Sequence, residues 1–433
     1  MVKNKIGLRL GGIVGLLALF CANTYAQKEL KSVFPEKWKV KIGVSTYRTN
    51  MVFHQGKIFV GSNGEDRNFK NDKLDGVYEI DAKTGKIVHH YEIPFSGDND
   101  VNGVAIGDGK LFFGTDNYYF FCYDLKTKEE LWKFHTPYDV ESCPQLAYLN
   151  DDKILDVAFN VEGNSFFALN GQTGELLWEN KEIEAHNGNS APLKFDVNGD
   201  GTMDFITSGR GSANSDEIDG FKMAHYGDYN LAIDGKTGKT LWAVATGAGV
   251  HASPFIYQNG ATTEFLFLDS YGQLCSINKK GELVRLVNFG YDNFSSPSMT
   301  KDKHLVVGRG ALEFDDKMFE KDIESGVMRS KNDAKYLFNE VDGRISATTM
   351  IADVLARNSD QLIGVTEEGI VFISKTTGEK IENFKIPAGA EASLFIEDID
   401  GDKFLEILIS DLAGNLTCYK TKSKAKATFG RFR

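Results

Sequence analysis

The chain has 433 residues, a formal net charge of −12, 12% aromatic residues and 44 glycines. So acidic a chain is a poor ligand for nucleic acid or anionic lipid, because both are held by Lys and Arg meeting phosphate. Abundant Gly and aromatics, without long helical periodicity, exclude an all-helical fold and leave a β protein.

Residues 1–26 read as a secretory signal peptide. Lys3, Lys5 and Arg9 make a basic start, "GGIVGLLALF" is an apolar run too short to span a bilayer, and "TYA" places Ala26 at a cleavage position. Cys21 offers a lipid-anchor alternative that the bulky Phe20 disfavours. No later segment is long and apolar enough to cross a membrane. The expected product is exported, periplasmic or extracellular, and monomeric, with a net charge of −15 once the three signal charges are removed. One domain is expected over 27–422. The basic end 423–433 reads as a frayed, solvated tail.

A unit recurs along that domain: an apolar strand, a turn of the form D/N-x-x-T-G, then a strand that carries Trp in several copies. "GVYEIDAKTGKIVHH", "SFFALNGQTGELLWEN" and "YNLAIDGKTGKTLWAV" are clear examples. The turns open at Asp81, Asp124, Asn170, Asp234, Asn278 and Ser374, at spacings of 43, 46, 64, 44 and 96. The 64 is one repeat plus an insertion. The 96 is two repeats, which places a degenerate copy at "MFEKDIESGVMRS", opening at Asp322 with Gly326 in the glycine column. An eighth copy falls at Lys420. Asp or Asn opens such a turn by accepting from backbone N–H groups, and Gly supplies the positive φ that closes it. A period of about 45 residues with four short strands per copy predicts an all-β, eight-bladed β-propeller of four-stranded antiparallel blades.

Trp132, Trp178 and Trp242 stand four residues past the glycine column, on the outer strand, where each can cover a neighbouring turn. Trp38 stands alone near the start. The eighth copy lacks an outer strand, so the strand around Trp38 is expected to complete the last blade and close the ring. Cys122 and Cys418 share a column with Ala168 and Ala232 and read as small buried hydrophobes. The roles of Cys143 and Cys275 stay open.

This repeat resembles the PQQ-like repeat of eight-bladed propellers, a family that includes quinoprotein alcohol dehydrogenases and the outer-membrane assembly lipoprotein BamB. The resemblance implies the fold over about residues 36–422 and says little of chemistry. Quinoprotein enzymes of that family carry an adjacent cysteine pair, which this chain lacks, and no CxxCH haem site is present either. PQQ is therefore not expected.

"KFDVNGDGTMDF" sets Asp196, Asn198, Asp200 and Asp204 at positions 1, 3, 5 and 9, with Gly201 at position 6. Oxygen donors at every second residue suit a hard cation such as Ca²⁺. An EF-hand is excluded, because position 12 is Thr207 and the flanks read as strands rather than helices. "EDIDGDKFLEIL" repeats the pattern with Asp398, Asp400, Asp402 and Glu406. Weaker versions occur at Asn150, Asp152 and Asp156 and in "ADVLARNSDQL". These hairpin loops resemble the FG-GAP or VCBS calcium loop of integrin-like propellers. The resemblance implies that the side chains named, with the carbonyls of Thr202 and Phe404, hold one or two structural calcium ions. The alternative is an acidic, ion-free turn.

Propeller ligands usually sit at the channel mouth, on loops leading into the innermost strands. Glu141, His186, Asn189, His251, Arg344 and Glu391 fall there and form no metal triad or nucleophile arrangement. They could bind a polar ligand or a peptide, or form a solvated rim. The insertion "GRGSANSDEIDGFKMAHYGDYN" adds Arg210, Asp219, His225 and Tyr226, and "GRGALEFDDKMFEKD" could decorate the same face. The expectation is an exported, non-catalytic scaffold for a protein or glycan partner in the cell envelope. The alternative is a channel-centred enzyme, quinoprotein-like or carbohydrate-active.

Overall fold

The computed structural model describes residues 33–432, apart from 66–71, 164, 185–189, 212–216, 219–220, 223–227, 247–249, 290–293, 309, 333–334 and 337–343. The signal segment lies outside the described residues. Eight antiparallel sheets follow one another along the chain, at 51–91, 104–135, 145–180, 193–246, 255–288, 298–336, 350–385 and 395–420. They are blades 1 to 8 of an all-β propeller. The only helical element among the described residues is the 3₁₀ turn Asp316–Met318. No described helix is long and apolar enough to cross a membrane.

Each blade places its first strand innermost. The connections between first and second strands, and the turns between third and fourth, share one end of the barrel, here the hairpin face. The second-to-third and blade-to-blade connections share the other end, the mouth face. The turn chemistry accounts for the outer hairpins. Asp81 Oδ1 accepts from Thr84 N at 3.0 Å, Asp234 Oδ1 from Thr237 N at 2.7 Å, and Gly85 and Gly238 sit at φ 71° and 73°. A bulge precedes the turn opener in blades 1 to 5 and again at 373/374 in blade 7, whose turn opens at Lys375 rather than at Ser374, so the same structural column bends the outer edge each time.

Glu36–Lys41 pairs antiparallel with Asn415–Lys420 and completes blade 8, which closes the ring. The tryptophans act between blades. Trp178 Nε1 donates to Gly235 O of the next blade at 2.9 Å, Trp132 to Gly171 O at 3.4 Å and Trp38 to Ala82 O at 2.9 Å. A Cβ on Gly238 would stand 2.7 Å from the Trp178 ring, so the glycine column is also the seat of the tryptophan. Blade 2 holds Lys128 in that column, at φ 67°, and the facing blade offers His89 instead of Trp. No disulfide joins the four described cysteines, and all four are buried. Cys143 Sγ donates to Arg48 O, and Cys275 Sγ accepts from Asn230 Nδ2, each at 3.3 Å.

Two expectations are corrected. The turn at Asp322 forms, with Asp322 Oδ1 accepting from Ser325 N at 2.8 Å, but its hairpin is not the outer pair of blade 6. Phe319–Lys321 and Met328–Ser330 attach to the outer edge of blade 5, where Met328–Ser330 runs parallel to Leu283–Asn288; the outer strand of blade 6 is Lys335–Tyr336. Arg285 locks this detour. It pairs with Glu264 at 2.9 Å and with Asp316 at 2.8 Å, and lies over Phe314 and Phe319.

The second correction concerns residues 423–432, which are docked rather than frayed. Ile351 N donates to Phe429 O at 2.8 Å, Thr428 Oγ1 to Asp360 Oδ2 at 2.7 Å, and Arg431 Nη2 to Glu397 Oε1 at 3.1 Å. Phe429 faces Phe255, and Phe432 is 6% exposed in the cluster that holds Cys143, Ala191 and Ala347. Arg431 shares a cavity of about 230 Å³ with the innermost strands of blades 1 to 3 and Lys194 of blade 4. The tail therefore enters the axis of the ring from the hairpin face. Burial of its aromatic residues outweighs the solvation of its lysines.

The mouth and the two hairpin loops

The mouth is built four residues ahead of each innermost strand. Tyr47, Asp100, Glu141, His251, Phe294, Ser346 and Glu391 occupy that position in seven blades. Two residues further on, hydroxyls tie blade to blade: Ala191 N donates to Ser253 Oγ, Ser253 N to Ser296 Oγ and Thr348 N to Ser393 Oγ, each at 2.9 Å. That explains the recurrent small polar residues before the first strand. It also holds the mouth side chains on a stiff ring.

Phe294 is the hub. Its ring centre lies 5.4 Å from that of Tyr47 and 4.9 Å from that of His251, and the Arg344 guanidinium sits 4.4 Å over it. Residues from blades 1, 5, 6 and the lead into blade 7 thus converge. Arg48 lies 5.2 Å over Tyr47 and pairs with Glu141 Oε1 at 2.7 Å. Burial pushes Glu141 up to about 8 although Arg48 opposes it. Glu391 is 9% exposed. Of the residues expected here, Glu141, His251, Arg344 and Glu391 do face the mouth. His186 and Asn189 lie outside the described residues, as do Asp219, His225 and Tyr226 of the insertion. Arg210 belongs to the strand Asp204–Gly211, paired with Asp228, so the insertion leaves blade 4 on the mouth face. The blade 6 stretch departs from the hairpin face instead.

The sequence reading missed Tyr47 and Phe294 because it selected polar side chains, and Arg48 because it took no residue from the lead into blade 1. The column four residues before each first strand contains both aromatics and would have found them. The exposed tyrosines are a further miss: Tyr118, Tyr138 and Tyr271 are 44%, 51% and 72% exposed, all on mouth-face connections. Tyr118 and Tyr138 meet edge to face at 6.4 Å.

The two aspartate-rich loops sit on the hairpin face, as their place between first and second strands requires. In the first, Asp196 accepts from Gly199 N and Gly201 N, Asn198 from Asp200 N and Asp200 from Thr202 N. Asp204 is fully buried and accepts from Val197 N at 2.8 Å and Gly235 N at 2.9 Å. The second repeats this: Asp398 accepts from Gly401 N and Lys403 N, Asp402 from Phe404 N, and Glu406 from Ile399 N at 3.1 Å. Lys403 takes φ 74° where the first loop has Gly201 at 89°.

The loops differ in where they keep positive charge. Carboxylate oxygens of Asp398, Asp400 and Glu406 lie within 4.8 Å of one another. Lys37, from the closing strand, reaches Asp400 and stands 3.4 Å from Glu406 Oε1, and Lys420 pairs with Asp402. Burial pushes Glu406 up to about 7. In the first loop the Asn198 amide donates to Asp234, and no described Lys or Arg pairs with its acids. Both loops carry the all-oxygen donors a hard cation takes; the second already has an ammonium among them.

Residues 94–213 match the family model described as outer membrane protein assembly factor BamB. That span, blades 2 and 3 and the start of blade 4, carries the BamB-like repeat. No curated protein matches the chain. Among solved structures, BamB from Moraxella catarrhalis is similar over 90% of this chain and 100% of its own, at 13% identity and a TM-score of 0.55. A quinohemoprotein alcohol dehydrogenase from Comamonas testosteroni covers 89% of this chain with 76% of its own, at 14% identity and 0.58. Sqt1 of Saccharomyces cerevisiae covers 90% with 98% of its own, at 11% and 0.57. At such identities the likeness is one of fold alone.

Proposed function

We propose that this chain is an exported, non-catalytic propeller that binds a protein partner on its mouth face. The observation that carries the reading is the cluster of Tyr47, His251, Phe294 and Arg344, drawn from four places in the ring onto one spot. Aromatic residues and Arg are the side chains in which binding energy concentrates at protein interfaces. The exposed tyrosines at 118, 138 and 271 add amphipathic surface on the same face. The match of residues 94–213 to a family described as an outer membrane assembly factor supports a protein partner and a place in the cell envelope. The tail fills the axis from one face and Tyr47 with Phe294 bridges it at the other, which favours a surface role over a channel-centred one.

The aspartate-rich loops serve as struts in this reading. Asp196, Asn198, Asp200 and Asp204, with the Thr202 carbonyl, hold one calcium ion that stiffens the blade 4 hairpin. Asp398, Asp400, Asp402 and Glu406, with the Phe404 carbonyl, form a second site that Lys37 contests.

The test is affinity purification of the tagged protein from cross-linked native envelopes, beside a Phe294→Ala/Arg344→Ala variant. The account expects defined envelope proteins to be enriched with wild type and lost with the variant. Equal recovery with both proteins would contradict it.

A further inference from the structure

The mouth face holds a second group of acids that the partner surface does not use. Asp98 and Asp100 lie on the connection from blade 1 to blade 2, and Asp116 on the connection between the second and third strands of blade 2. Their carboxylate oxygens come within 4.8 Å of one another. Asp98 Oδ1, Asp100 Oδ1 and Asp116 Oδ1 are each sealed from solvent and meet no protein hydrogen-bond donor. None of the three is in an ion pair with a described Lys or Arg; the nearby Arg48 is committed to Glu141.

An independent observation points the same way. Asn63 is 3% exposed, and its Nδ2 donates to Asp100 Oδ2 at 2.8 Å, which fixes the amide against the cluster. Its Oδ1 is also buried without a donor. An amide oxygen cannot be relieved by taking up a proton near neutral pH, as a carboxylate can. Three carboxylate oxygens thus share one buried place, braced by an amide whose own oxygen is buried and unmet, and leaving them unpartnered there is costly.

We propose that Asp98, Asp100 and Asp116, with Asp100 braced by the Asn63 amide, bind a calcium ion at the mouth between blades 1 and 2. An all-oxygen, carboxylate-rich set selects a hard cation over zinc or copper. A shell this rich in protein ligands suits Ca²⁺, which takes six to eight oxygens, better than Mg²⁺, which keeps most of its waters. The ion neutralises three like charges and ties the connection from blade 1 to blade 2 to the connection between the second and third strands of blade 2. This site is separate from the hairpin loops, which lie at the opposite face, and it does not depend on the protein-binding reading.

The experiment is calcium titration of the EDTA-treated full chain by calorimetry, with bound metal counted per chain. Wild type is compared with Asp100→Asn/Asp116→Asn and with Asp200→Ala/Asp400→Ala. The mouth variant should lose one equivalent that the loop variant keeps. Unchanged stoichiometry and affinity in the mouth variant would overturn the proposal. Terbium-soaked crystals of the unaltered protein give a reading that does not depend on a variant folding. An anomalous peak enclosed by the three carboxylates supports the site, and a map without one there overturns it.

Discussion

The hairpin loops and one acidic cluster at the mouth both bury carboxylates, and they do so in opposite ways. In the hairpin loops the buried acid is met by the backbone: Asp204 accepts from Val197, Asn198 and Gly235, and Glu406 from Ile399 with Lys37 beside it. Blade 3 shows the same arrangement with fewer acids, since Asp156 accepts from Leu149 N and Gly171 N. On the mouth face Asp98, Asp100 and Asp116 each keep an oxygen that no protein group meets. A loop whose polar groups satisfy one another is finished as structure. A cluster whose buried oxygens are left over is open to something it binds.

The largest effect should come from the hairpin face, where the tail is packed. Phe432→Ala empties a buried place on the axis and should cost about 3 kcal/mol in urea unfolding. A frayed tail would show no change. Next, the same amide substitution should separate the faces. Asp204→Asn turns an amide N–H toward backbone donors and should cost roughly 2 kcal/mol in EDTA. Asp100→Asn has no backbone donor to lose and should stay within about 1 kcal/mol of wild type in the same buffer. Equal losses would erase the contrast.

Lys37→Ala sharpens the comparison within the hairpin face. It removes the ammonium from the second loop and should make that loop's stability rise on adding calcium, read as a larger calcium-induced shift in melting temperature than in wild type. Asp200→Ala should lower the melting temperature in calcium and change it little in EDTA. An unchanged melting curve in both buffers would sink the structural role of the ion in the first loop. The smallest effect is one of pH. Burial, then Glu162 and Asp98 nearby, push Asp139 up to about 6. An acid raised in the folded state contributes stability that is present at low pH and lost as pH rises through the folded value. Asp139→Asn should therefore flatten the fall in stability between about pH 4 and pH 6.

The sequence disclosed most of this architecture through a single column. Asp81, Asn170 and Asp234 fix their turns by local hydrogen bonds, and Trp38, Trp132 and Trp178 fix the neighbour that covers them, so both pairing and ring closure could be read from spacing. Blade 6 escaped for a physical reason: the turn at Asp322 is locally encoded, but the sheet it joins is chosen by the distant Arg285 of blade 5, which packs on Phe314 and Phe319. The tail escaped because its lysines and arginines are obvious in the sequence, while the burial of Phe429 and Phe432 depends on an axis that only the closed ring provides. Polar candidates at the mouth were legible, but their aromatic hub was not sought among apolar residues. Asp98, Asp100 and Asp116 lie on two connections without metal-ligand spacing, so only the fold brings them together.

The most direct test of the contrast between faces is site-specific photo-cross-linking in living cells. A photoreactive residue would replace Tyr118 or Tyr271 on the mouth face, and Tyr148 or Met203 on the hairpin face, all of them exposed. The account predicts a discrete cross-linked partner from the mouth positions and none from the hairpin positions. A partner captured from the hairpin face alone would contradict it.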